Sequence, residues 1–257
     1  MENLIKEEGG FRYLEAGEGQ PIVILHGLFG TWKNFRFMID HFAVDHRVIL
    51  PFLPLYTLPL KNASVKYLTE YIDKFLKHKK IKEAAILGHS LGGHIALQFA
   101  ITYPQKTQFL ILTGSSGLYE NTLGGTYPRK EDYEFIKGKV EYTFYKPESA
   151  SKEVIDEVFT VVNDRSKAMR ILYIAKSTIQ ENMAKHLCEI TSKTCLVWGR
   201  EDKITPPRVA EEFQSLIRNS ELYWIDECGH VPMLEQPDQF NSIIRGWLEK
   251  NLAGKQG

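Results

Sequence analysis

Cysteine is scarce in this chain, with three residues among 257, at positions 188, 195 and 228. An odd count without paired short spacings argues against a disulfide framework and against a zinc-type motif. We read Cys188, Cys195 and Cys228 as small core thiols in a reducing cytoplasm. An excess of either charge is also missing: Lys plus Arg number 32 and Asp plus Glu number 32. That balance argues against a nucleic-acid or anionic-membrane partner. No run approaches the roughly 18 apolar residues of a membrane span, and MENLIKEEGG lacks the charged-then-apolar pattern of a signal peptide. The expectation is a cytoplasmic protein that engages a small molecule. Internal repeats and low-complexity segments are absent, and only the tail AGKQG reads as frayed. What remains is ordinary globular composition, 43% hydrophobic and 25% charged, enough for one large domain or one domain carrying an insertion.

Strand-like apolar runs alternate with helix-like stretches. FRYLEAG (11–17), PIVILHG (21–27), HRVIL (46–50), EAAILGHS (83–90) and TQFLILTG (107–114) read as strands. Their unbroken apolar character predicts burial on both faces, as in a parallel sheet. Helices are predicted around 32–42, over 64–78 and from Leu91 to about Tyr103. In the second, Val65, Leu68, Ile72, Phe75 and Leu76 share one face, and Ser64 suits the cap position. The rhythm breaks after Gly114. Residues 117–187 hold helical pieces at 131–145, 152–164 and 166–187 and no convincing buried strand. It resumes with TCLVWG (194–199), a helix over 207–218, ELYWID (221–226) and a last helix near 237–251. This pattern predicts an α/β fold with helices on both faces of the sheet. Residues 1–116 and 188–257 form the core, and 117–187 form a helical insertion.

The sharpest motif is ILGHSLGGHIAL (86–97), which places Gly88, Ser90 and Gly92 as Gly-x-Ser-x-Gly between a strand and a helix. That context is the nucleophile elbow. The turn strains the serine backbone and leaves space only for small residues two positions away. A serine hydroxyl needs a base, and the base needs an orienting acid. GREDKITPP (199–207) places Asp202 just past one strand, and ECGHVPMLEQP (227–237) places His230 past the next. Parallel strands carry all three loops to one sheet edge. Glu201 and Asp226 are rivals of Asp202, the former one residue early and the latter expected within its strand. His89 is expected to point away from the serine, and His94 to pack inside the helix. His41, His46, His78 and His186 are expected in solvent. A tetrahedral oxyanion needs preorganised donors. The Leu91 N–H supplies one. HGLFG (26–30), after an early strand, supplies the other from Leu28, or from Phe29 if the loop is cut differently.

HGLFG, GHSLGG, GREDKITPP and CGHVPMLEQP, in this order, resemble the α/β-hydrolase superfamily over nearly the whole chain. The resemblance implies a mostly parallel eight-stranded sheet, a helical cap over the site and no cofactor or metal. It implies Ser90 as nucleophile, Asp202 as acid, His230 as base, and the Leu28 and Leu91 amides as oxyanion hole. The insertion length and GREDKITPP are similar to the carbon–carbon bond hydrolases of aromatic degradation. Those enzymes usually carry tryptophan after the histidine, where this chain has Val231.

After HRVIL the superfamily commonly has a polar, glycine-rich loop, whereas this chain reads PFLPLYTLPL (51–60). The loop leaves the edge that carries Ser90. Phe52, Leu53, Leu55 and Tyr56, together with Phe29 and Val231, are candidates for the wall of an apolar substrate pocket. Packing against the cap without touching substrate is the alternative. Tyr119, Phe135, Phe144 and Tyr173 are candidates for the opposite wall. The function expected is a serine hydrolase acting through an acyl-enzyme on a small or medium, largely apolar ester or similar carbonyl compound. A carbon–carbon hydrolase or cofactor-free lyase with the same three residues is one alternative, and a non-catalytic binding protein on this fold is another.

Overall fold

A computed structural model describes residues 1–119, 129 and 131–253. The frayed-tail expectation for 254–257 and part of the expected insertion lie outside the described residues. Eight strands form one sheet in the order β1-β2-β4-β3-β5-β6-β7-β8. They are β1 (Ile5–Glu8), β2 (Phe11–Ala16), β3 (Gln20–Leu25), β4 (His46–Pro51), β5 (Ala84–His89), β6 (Thr107–Thr113), β7 (Lys193–Gly199) and β8 (Ser220–Ile225). β1 and β2 run antiparallel, and β3 to β8 are parallel.

The unbroken apolar runs have a simple physical reading. Along β3, Val23 and Leu25 join one buried cluster, and Ile22 and Ile24 join the other. Adjacent side chains point to opposite faces of a strand, so each run feeds two cores. One core includes α2 (Val65–His78) and α3 (Leu91–Thr102); the other includes α1 (Arg36–Phe42) and α9 (Pro237–Ala253). The five apolar residues predicted on one face of α2 are all buried, and the Ser64 hydroxyl accepts from the Tyr67 N–H at 3.2 Å. Such a cap contributes about 1 kcal/mol.

β1 is the strand that the apolar pattern misses. Its residues IKEE are mostly exposed, and it sits at the sheet edge. Charge, not burial, suits that place, because a charged edge discourages pairing with another chain. Lys6 bonds Glu15 on β2, where Arg47 and Lys79 also converge. Burial alone would raise the Glu15 pKa, but these three cations hold it down to about 2.

Between β6 and β7 lie α4 (Tyr133–Glu141), α5 (Lys152–Asn163) and α6 (Arg165–Gln180). Ile136, Val140 and Ile155 join one core cluster, and Val161, Ile171 and Ile174 join the other. α7 (Pro207–Leu216) follows β7, and the short α8 (Pro232–Glu235) precedes α9. Two thiols are buried, but Cys188 is exposed, against the expectation of three core thiols. Among the described residues no helix is long and apolar enough to cross a membrane.

Candidate active site

Ser90 stands between β5 and α3 with φ 54° and ψ −121°. That left-handed conformation is costly for a residue with a Cβ. Hydrogen bonds hold it: the Ser90 N–H donates to Thr113 O at 3.2 Å, and the Ser90 carbonyl accepts from Gly93, His94 and Ser116. Sterics hold it too. A methyl at Gly92 would overlap the Leu25 carbonyl oxygen, and one at Gly88 would overlap the backbone of Gly92 and Gly93. The turn therefore exists only because both positions are glycine. α3 starts immediately after the serine, so its free N–H groups and positive dipole end lie at Ser90.

His230 and Asp202 meet on the same edge, past β8 and β7. The His230 Nδ1 lies 2.9 Å from Asp202 Oδ2. A carboxylate only accepts, so Nδ1 is the donor in this bond. The Asp202 oxygens also accept from the N–H groups of Ile204 and Thr205 and from the Thr205 hydroxyl. Burial alone would raise the Asp202 pKa. The neighbouring imidazole and these bonds overturn that and hold it below the usual carboxylate range. Gly114, next after the Thr113 that binds Ser90, lies so near His230 that an added Cβ would stand 2.9 Å from the imidazole. The 114–116 turn thus adjoins both the serine and the histidine.

The rival acids are engaged elsewhere. Glu201 accepts from the Cys228 N–H. Asp226 falls just beyond β8 rather than within it, and it pairs with Arg200 at the surface. Three histidine expectations change, one of them at His46, which is half-buried against Phe42 and paired with Asp45. His89 does not turn away from the site: its Nε2–H donates to the His230 carbonyl at 2.8 Å, and the two ring centroids are 4.8 Å apart. Burial lowers its pKa to about 3, so it acts as a neutral donor. His41 is half-buried and accepts from Arg245 Nε, whereas His78 and His186 are exposed as expected. His94 is buried as expected, with its Nε2–H donating to Glu181 O and burial lowering its pKa to about 4.

Leu28 is buried and Phe29 half-buried in the loop after β3. Among the described residues, the N–H groups of Leu28, Phe29 and Leu91 have no hydrogen-bond partner. The 51–60 segment is fastened to that loop. The Tyr56 hydroxyl donates to Leu28 O at 2.9 Å, and the Leu53 N–H donates to His26 Nε2 at 3.1 Å. His26 in turn donates from Nδ1 to Gly27 O; burial lowers its pKa to about 4 and keeps it neutral. Leu53 and Leu55 are buried in one cluster with Leu28, Leu91, Ile171 and Ile174. The loop is apolar because it is an inner layer between the sheet edge and α6. Phe52 differs: its ring lies 5.0 Å from the Arg12 guanidinium. Val231 is buried beside Phe144 and Met233.

Pattern reasoning missed His26, Thr205 and Glu235. The last accepts from the N–H groups of Gly229 and Val231 on either side of His230. The one available signal was a carboxylate five residues after the histidine. Among the described residues no cluster of three or more His, Cys, Asp or Glu side chains could hold a metal.

A sequence model described as alpha/beta hydrolase fold matches residues 20–172 and 134–237. The chain is 25% identical to a 2-hydroxy-6-oxononadienedioate/2-hydroxy-6-oxononatrienedioate hydrolase of Pseudomonas sp, over 94% of this chain and 93% of that protein. It is 26% identical to a 2-hydroxy-6-oxo-6-phenylhexa-2,4-dienoate hydrolase of Comamonas testosteroni, over 93% and 91%. Among solved structures, an alpha/beta hydrolase enzyme from the metagenome of sediments of the Mar Chica lagoon, Morocco, is 41% identical. It superposes with a TM-score of 0.81, covering 96% of this chain and 98% of that one. The strained serine turn, the sheet order and these likenesses agree, and the chain belongs to the alpha/beta hydrolase fold family.

Proposed function

We propose that this hydrolase cleaves a small or medium, largely apolar and uncharged ester through an acyl-enzyme on Ser90. The observation that carries the reading is the strained Ser90 at the start of α3, with the His230–Asp202 pair fixed against the adjoining 114–116 turn. His230 Nε2 takes the Ser90 proton as Oγ attacks the carbonyl carbon. Asp202 holds the imidazole in the required tautomer and stabilises the imidazolium. The oxyanion accepts from the N–H of Leu91 and that of Leu28, with Phe29 as the alternative second donor. His230 then protonates the departing alcohol, and water, deprotonated by the same imidazole, releases the acid. No cofactor enters these steps. The helical segment within 117–187 serves as the cap. Leu53, Leu55 and Tyr56 of the 51–60 loop, with Phe29, form the apolar wall.

A second reading is hydrolysis of a carbon–carbon bond with the same residues, favoured by the names of the relatives from Pseudomonas and Comamonas. Those names denote carboxylate substrates. Here Arg170, a half-buried cation of α6, spends Nε on Leu58 O at 2.7 Å and Nη1 on Ser166. That commitment to the backbone supports an uncharged substrate.

A fluorophosphonate probe followed by peptide mass mapping tests the nucleophile. Modification of Ser90 in folded protein is expected, and an unmodified Ser90 refutes the hydrolase reading. Neutral esters of graded acyl length, assayed beside a dienone-type diketone, separate the two reactions. The ester is expected to turn over faster; a faster diketone establishes the second reading.

A further inference from the structure

The His230 loop has an anchor outside the three residues assigned to chemistry. Glu235 ends α8 and turns back on the loop. Its Oε1 accepts from the Gly229 N–H at 3.1 Å and the Val231 N–H at 3.0 Å. Its Oε2 accepts from the Tyr145 N–H at 2.7 Å. Tyr145 lies 90 positions earlier, just past α4 in the insertion. The same stretch touches the histidine directly, because the His230 N–H donates to Thr143 O at 2.8 Å. Gly229 packs so tightly there that an added methyl would stand 2.7 Å from Tyr145 N and 2.8 Å from Thr143 O. Phe144, between them, is buried with Cys228, Val231 and Met233.

We infer that Glu235 is a positioning residue that bolts the His230 loop to the 143–145 stretch of the insertion. The α4 end of the insertion is then part of the catalytic framework, not a separable lid. The chemistry demands a carboxylate. Three N–H donors converge on one side chain, and only a group with two acceptor oxygens and no donor satisfies them all. With Thr143 taking the His230 N–H and His89 donating to the His230 carbonyl, the backbone that carries the imidazole is bonded on every side. Such support fixes a reacting group to a fraction of an ångström, and small displacements cost rate steeply. This inference rests on His230 being the base.

Glu235→Gln is nearly the same shape but turns an amide NH2 toward one of the three donors. Hydrogen exchange resolved by NMR reads the clamp without reference to activity. The amides of Tyr145, Gly229 and Val231 are expected to exchange ~10-fold or more faster. Phosphonylation of Ser90 is expected to slow by ~10-fold or more, with one probe still bound per chain and the ester KM within about twofold. Faster exchange with an unchanged phosphonylation rate overturns the positioning role, as does a loss explained wholly by fewer reactive molecules or by KM. Unchanged exchange overturns the clamp itself. If the glutamine variant does not fold, Glu235→Asp, which keeps the charge and shortens the reach, is read on the same two scales. A wild-type protein whose Ser90 is never phosphonylated refutes the proposed function instead, and the exchange data alone then decide the clamp.

Discussion

The two halves of the site are built by different physics. Beyond its backbone hydrogen bonds, Ser90 is placed by exclusion: glycines at 88 and 92 let β5, α3 and the end of β3 approach where no methyl fits. His230 is placed by attraction, through the nearby Glu235 and through Asp202, Thr143 and His89 from three distant stretches. The serine half occupies one contiguous motif and depends on shape. The histidine half depends on charge and on hydrogen-bond inventory. Shape is insensitive to pH, whereas an acceptor carboxylate is not. The comparison predicts that the serine half fails by added bulk and the histidine half by altered charge at constant bulk.

The largest effect is expected from Asp202→Asn, which keeps the volume and removes the charge. Its amide faces donors in place of an acceptor and frees the His230 tautomer. Ester turnover per folded molecule is expected to fall ~10³–10⁴-fold, read by steady-state kinetics after probe titration. A fall below tenfold breaks the claim that charge governs this half.

Next comes Gly92→Ala, one methyl driven against the Leu25 carbonyl. Strain of this kind costs about 1–3 kcal/mol or more, read as a fall in denaturant midpoint. An unchanged midpoint breaks the steric account of the elbow.

The pH dependence sharpens the contrast. Asp202 has a folded pKa below its unfolded one. Its contribution to stability is therefore complete above the unfolded value, near 4, and is lost as pH falls through the folded value. The stability gap between wild type and Asp202→Asn is expected to shrink below pH ~4, whereas the gap for Gly92→Ala stays level. Thermal melts from pH 7 to 3 read both.

The smallest effect concerns the loop between the halves. Tyr56→Phe removes the hydroxyl bonded to Leu28 O. A net hydrogen bond of about 1 kcal/mol predicts a roughly fivefold loss in kcat with KM unchanged. Tyr71→Phe removes a longer bond to Phe52 O, 3.4 Å, at the other end of the loop, and is expected to leave kcat intact. Equal effects of the two would deny the loop a specific hold on the Leu28 segment.

Legibility follows the same division. The elbow, the sheet and the helices were readable because close packing writes itself as local periodicity and glycine spacing. The meeting of Asp202 with His230 was readable because strand ends carry loops to one edge. β1 was hidden because an exposed edge strand needs no apolar residues. Glu235 and His26 were hidden because their partners are backbone groups, which leave no trace in residue identity, and Thr205 because a hydroxyl three residues after Asp202 reads as ordinary loop chemistry. His89 was misplaced for a related reason: its acceptor is the carbonyl of a residue 141 positions away. The apolar 51–60 loop was visible as an anomaly, but its attachment to Leu28 and His26 required three dimensions.

The most direct measurement is a crystal structure of the phosphonylated protein. The account predicts phosphorus bonded to Ser90 Oγ, with one phosphonyl oxygen about 2.7–3.1 Å from the Leu91 N–H and from the N–H of Leu28 or Phe29. An adduct on another residue, or a phosphonyl oxygen turned to solvent away from those amides, would contradict it.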